Sequence, residues 1–162
     1  MLEKNFIKLI RKNINFYSFY RIETTTLNGF PDLIGVGANM DTIFIETKIA
    51  KGNKINLSPF QISTNLKLWN ESKSNYIIVH SSKYANNLPP NKVYLFEGRY
   101  SKELAINGLN EPSIANSWPT ICSYFTLVHG SRTTKSPEIR HEPRIMTRYL
   151  ENMRKMAVFR QL

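Results

Sequence analysis

The chain has a single cysteine, Cys122, among 162 residues, so it can form no intrachain disulfide and no cysteine-based zinc site. It also has no long hydrophobic run. No stretch approaches the ~20 apolar residues that a bilayer-spanning helix requires. The opening segment is broken by Glu3, Lys4, Lys8, Arg11 and Lys12, which does not read as a secretory signal, and a cytoplasmic location is expected. Histidine is scarce: His80, His129 and His141 have no mutual spacing of a metal site or a histidine-based nuclease motif. Acidic residues are in deficit, 12 against 22 Lys and Arg, for a net charge of +10. An excess of that size favours a polyanionic partner, most often nucleic acid. No internal repeat is present.

What the chain does have is enough apolar residue for a core, 41% with 12% aromatic. Leu2, Phe6, Ile7, Leu9, Ile10 and Ile14 recur at helical spacing, with Lys4, Lys8, Arg11 and Lys12 opposite. Glu3 falls inside the apolar arc. Residues 16–26 are aromatic and β-branched, as in a strand, and lead to the turn signal Asn28-Gly29. Short apolar runs at 32–36 and 42–49 read as a hairpin. Ser58-Pro59 opens a helix with an N-cap and a proline in its first turn, and Phe60, Ile62, Leu66, Leu68 and Trp69 are expected to supply its buried side. Strands follow at 76–80 and 93–96. The order helix, three strands, helix, two strands predicts an α/β sandwich with a mixed central sheet. Beyond Gly98, 100–109 reads as helix, 112–120 as loop, 121–128 as strand, and a last helix runs from Pro143. The chain divides on this reading into a core over 1–98 and an extension over 99–162.

The chemistry concentrates in Gly29-Phe30-Pro31-Asp32-Leu33-Ile34 and Ile43-Phe44-Ile45-Glu46-Thr47-Lys48. Strand side chains alternate, so Phe44, Glu46 and Lys48 share one face. Two charges on one face of an apolar strand are costly unless paired, coordinated or at the sheet's open end. Asp32 opens the neighbouring strand and can sit beside Glu46. Two adjacent carboxylates suit a hard divalent cation, Mg²⁺ or Mn²⁺, and Lys48, one pleat on, can hold a water beside it. The alternatives are a turn-associated Asp32 and a cross-strand charge pair on a half-solvated sheet.

Pro31-Asp32, thirteen residues, then Glu46-Thr47-Lys48 resembles the PD-(D/E)xK nuclease superfamily. With Leu57-Ser58-Pro59-Phe60-Gln61 added, residues 1–98 resemble its VRR-NUC branch, which is similar to the archaeal Holliday-junction resolvases. The resemblance implies a restriction-endonuclease-like fold. It further implies metal ligation by Asp32, Glu46 and the Thr47 carbonyl, catalysis by Lys48, and an active-site role for Gln61. Glu3 would add a carboxylate from the first helix. Two of these have other readings: Ser58-x-x-Gln61 is also a capping box, and Glu3 also favours a helix N-terminus.

The expected function is a metal-dependent DNA endonuclease selective for junctions or other DNA structures and acting as a homodimer or higher homo-oligomer on double-stranded or branched DNA. A phage, homing or restriction-type enzyme on the same core is the alternative. A DNA-binding module that no longer cuts, and a nuclease for RNA, for which no base-stacking signature is visible, are the others. Expected phosphate contacts are Arg21 and the basic extension, with Arg132, Lys135, Arg140, Arg144 and Arg148. The apolar stripe of the last helix would serve a dimer seam or pack on the core.

Overall fold

Alternation of apolar and polar residues lays down five strands, β1 (Tyr17–Arg21), β2 (Leu33–Gly37), β3 (Thr42–Ala50), β4 (Asn75–Ser81) and β5 (Val93–Glu97), in the spatial order β1-β2-β3-β4-β5. A computed structural model describes residues 1–23, 28–38, 41–81 and 91–130, all within one compact unit, Met1–Arg132. β1, β2 and β3 form an antiparallel meander, β3 and β4 run parallel, and β5 returns antiparallel. A parallel pair needs a crossover, and α2 (Pro59–Ser72) supplies it. The mixed α/β sheet is the expected one.

Helices cover both faces. One face carries Ala50, Ile77, Val79, Tyr94 and Phe96 under α2 and α3 (Ser101–Asn107), with Ile62 and Leu104 packed in. The other lies under α1 (Glu3–Asn13) and α4 (Trp118–His129), where Phe6 meets His80 edge-on at 5.4 Å and Phe125 meets Tyr76 at 5.0 Å. Strand β4 is buried along its whole length, as a strand covered on both faces must be.

Three expectations change. Residues 121–128 are helix, in α4, and not strand. Ile121, Tyr124 and Phe125 are buried at helical spacing, and Ser117 caps the helix by accepting from the Thr120 amide. The 112–120 loop therefore ends at Ser117. On α2, Phe60 is 62% exposed, while Asn65 joins Trp69 as a buried residue. Asn65 is tolerated there because its side-chain oxygen accepts from Asn75 at 2.8 Å. The helix expected from Pro143 lies outside the described residues. Among the described residues, no helix is long and apolar enough to cross a membrane.

Candidate active site

β2 pairs with β3 only as far as Leu33 opposite Ile45. Beyond that register β3 continues alone on its β2 side, carrying Glu46, Thr47 and Lys48, while Asp32 stands just before β2 begins. The hairpin thus opens where the charged residues lie. The Asp32 backbone is tied down on its far side, its carbonyl accepting from the Ile22 amide at 2.8 Å.

Asp32 is also held by its side chain. Its Oδ2 accepts from the backbone amide of Thr47 at 2.7 Å and from the Thr47 hydroxyl at 2.7 Å. One oxygen takes two short bonds from one residue, so the carboxylate plane is fixed. Sequence reasoning assigned Thr47 only a carbonyl; the hydroxyl was missed. The available signal was a buried-strand position occupied by Thr among isoleucines.

Glu46 is fully buried. Its Oε1 accepts from the Gln61 side-chain amide at 2.6 Å and pairs with the Lys48 ammonium at 2.8 Å. Its Oε2 is buried without a hydrogen-bond partner. Burial first, and then the charge of Asp32, push the Glu46 carboxyl up to about 7; Lys48 opposes this and Glu3 adds slightly to it. Glu3 forms no hydrogen bond or ion pair with Glu46. It is exposed, at the first residue of α1, where the apolar arc of that helix runs out past the core.

Gln61 forms the capping box and also reaches Glu46. Its side-chain oxygen accepts from the Ser58 amide at 3.0 Å, its own amide donates to Ser58 Oγ at 3.2 Å, and its side-chain nitrogen reaches Glu46. The cap therefore aims the amide at the carboxylate. Gly29 brings this helix end close to the Asp32 loop. It has φ +81°, and a Cβ there would fall 2.4 Å from the Phe60 carbonyl carbon. Only glycine meets both demands.

Asp32, Glu46, Thr47, Lys48 and Gln61 are thus linked by hydrogen bonds and an ion pair, and Glu3 forms neither with any of them. Among the described residues no three His, Cys, Asp or Glu side chains gather to cage a metal. Two mutually repelling carboxylates, one of them with an orphaned buried oxygen, nonetheless fit a Mg²⁺-type ion. Such an ion takes one or two protein carboxylates and completes its shell with water and substrate phosphate.

The other assigned contacts fare differently. Arg21 is half-exposed and already paired with Glu23 at 3.0 Å. Arg132, Lys135, Arg140, Arg144 and Arg148 lie outside the described residues. Of the histidines, His80 is buried against Phe6, and burial lowers its pKa. His129 belongs to a separate network on the α4 face. There its Nδ1 lies 3.2 Å from Asp41, its Nε2 is 2.7 Å from the Tyr76 hydroxyl, and Tyr17 donates to the same Asp41 oxygen. His141 is outside the described residues.

No family model matches the chain, and no curated protein matches its sequence. Among solved structures, the Holliday junction resolvase Hjc of the archaeal hyperthermophile Archaeoglobus fulgidus aligns with a TM-score of 0.42 and 16% identity, over 59% of this chain and 74% of that one. A likeness of that size carries no part of the functional argument, which stands on the side chains above.

Proposed function

We propose that this chain is a restriction-endonuclease-like, Mg²⁺- or Mn²⁺-dependent DNA endonuclease, with Asp32 and Glu46 as the carboxylate ligands. The observation that carries the reading is Glu46: fully buried, pushed up to about 7, and left with a partnerless oxygen beside a second, clamped carboxylate. A structural ion pair would be expected to satisfy both oxygens, because a bare buried one is costly. A site that waits for a cation leaves one open.

The divalent ion would neutralise charge developing on the phosphate and lower the pKa of the attacking water. The protein groups do the rest. The Thr47 hydroxyl and amide hold Asp32 in one orientation. Gln61 fixes the Glu46 rotamer from a capped helix end. Lys48 orients the water, whose oxygen attacks phosphorus as the P–O3′ bond breaks. The attacking water gives up one proton to solvent and the leaving 3′-oxygen takes one from solvent, giving a 5′-phosphate and a 3′-hydroxyl.

The motif resemblance favours branched DNA as substrate; a sequence-reading homing or restriction role is the competing choice on the same core. One panel tests both: linear duplex, supercoiled plasmid and a synthetic four-way junction, with Mg²⁺, Mn²⁺ or EDTA. Cutting that needs the metal and disappears in Asp32→Ala is expected, with the junction preferred. A consensus cut site on random duplex would move the assignment to the sequence-reading class. Undiminished cutting by Asp32→Ala would remove the assignment altogether.

A further inference from the structure

Helix α1 has a face that the proposed chemistry leaves unused. Its apolar side is committed to the core through Phe6, Ile7 and Ile10. At 100° per residue, Lys4, Lys8, Arg11 and Lys12 fall within an arc of about 100° turned away from that side. All four are exposed, and none forms an ion pair with a described residue. Arg21, Lys48, Lys67 and Arg99 each have a carboxylate partner, whereas Lys73 and Lys102 also have none, so it is alignment on one helix face that sets the four apart.

Helix α1 packs against β3, the strand that carries Glu46 and Lys48. From Lys4 to Lys12 the row covers about 12 Å at 1.5 Å per residue. A DNA strand carries one phosphate per 3.4 Å of axial rise, so the row matches roughly three to four consecutive phosphates. Four unneutralised cations on a line of this length complement a polyanion, and flexible Lys and Arg stems can adjust to its path.

We infer that the outer face of α1 is a rail for the sugar-phosphate backbone, binding DNA without reading its sequence. The inference takes DNA as the polyanion from the nuclease reading; the contact itself is independent of catalysis.

The test is binding by the full chain in EDTA, followed by fluorescence anisotropy of labelled duplex and four-way junction over a range of salt. The rail variant is Lys8→Gln/Arg11→Gln/Lys12→Gln, with substitutions at exposed positions that suit a helix. The control is Lys67→Gln/Lys73→Gln/Lys102→Gln, which removes as many exposed cations elsewhere. Circular dichroism establishes that both fold. The rail variant should bind roughly ten- to a hundredfold more weakly, and its plot of log affinity against log salt should be shallower by roughly two to three units. The control should stay close to wild type. An unchanged rail variant, an equal loss in the control, or no binding by wild type would overturn the rail. Wild-type cleavage with Mg²⁺ or Mn²⁺ is scored separately. Absent cutting with an intact rail effect removes only the nuclease reading; cutting with no rail effect removes only the rail.

Discussion

Glu46 couples stability, pH and chemistry in one side chain. Its carboxyl binds a proton more tightly in the folded chain, at about 7, than at the ordinary 4.5. The metal-free protein should therefore lose stability as pH rises from about 4.5 to about 7, by on the order of 3 kcal/mol, and then level off. Glu46→Gln removes that titration. Thermal melts in EDTA should show the variant more stable than wild type at pH 8 and no more stable at pH 5, while its cleavage falls to background. A variant less stable at pH 8 would contradict the account. Thr47 gives a second test at this scale. Thr47→Val loses one of two bonds to Asp32, a charged acceptor, at a cost of about 1.5–3 kcal/mol in holding that carboxylate. Metal affinity should drop at least tenfold, and Thr47→Ser should restore it. Asp32, Glu46 and Lys48 were legible in the sequence because strand alternation places charges on a countable face. The Thr47 hydroxyl was not, because its bond depends on where an adjacent strand stops.

At the scale of elements, the first turn of α2 unites folding and function. Ser58→Ala removes one half of the cap and should cost about 1 kcal/mol by chemical denaturation. Activity should hardly change, since Gln61 keeps its bond to Glu46. Gln61→Ala should lose both, lowering stability by a similar amount and activity with it. If the two variants cleave equally well, the aimed amide has no role. Gly29→Ala should be the more damaging change, because φ +81° and the 2.4 Å approach to Phe60 leave no room for a methyl group. The α2 start was legible because Ser-Pro with Gln three residues on is a local signature. For α4 the structure shows the same device in Ser117, Pro119 and Thr120, while residues 121–128 read as strand from their β-branched and aromatic content. Propensity there yielded to tertiary packing: Ile121, Tyr124 and Phe125 reach one face of the sheet only as a helix. Phe60 shows the opposite error, an apolar residue counted as core that stands in solvent.

For the whole molecule, the sheet separates two kinds of polar cluster. The candidate active site occupies the α2 face, and the Asp41–His129–Tyr76 network the α4 face. Order of elements and sheet class were legible because hydrophobic periodicity is local information. The departure of β2 from β3, which creates the site, was not. A single centre cuts one strand, so the proposed enzyme should act on a two-fold branched substrate as a homodimer; sedimentation with junction DNA checks this, expecting two chains per junction.

The central claim is that Asp32 and Glu46 share one divalent cation, and calorimetric titration of Mn²⁺ into the full chain tests it most directly. At pH 7, in buffers of different ionisation enthalpy, one ion per chain should bind with release of about half a proton, supplied by Glu46. At pH 8.5 that release should vanish and affinity rise. Asp32→Ala and Glu46→Gln should each abolish the binding. Binding that survives in both variants, or none by wild type at millimolar Mn²⁺, would contradict the account.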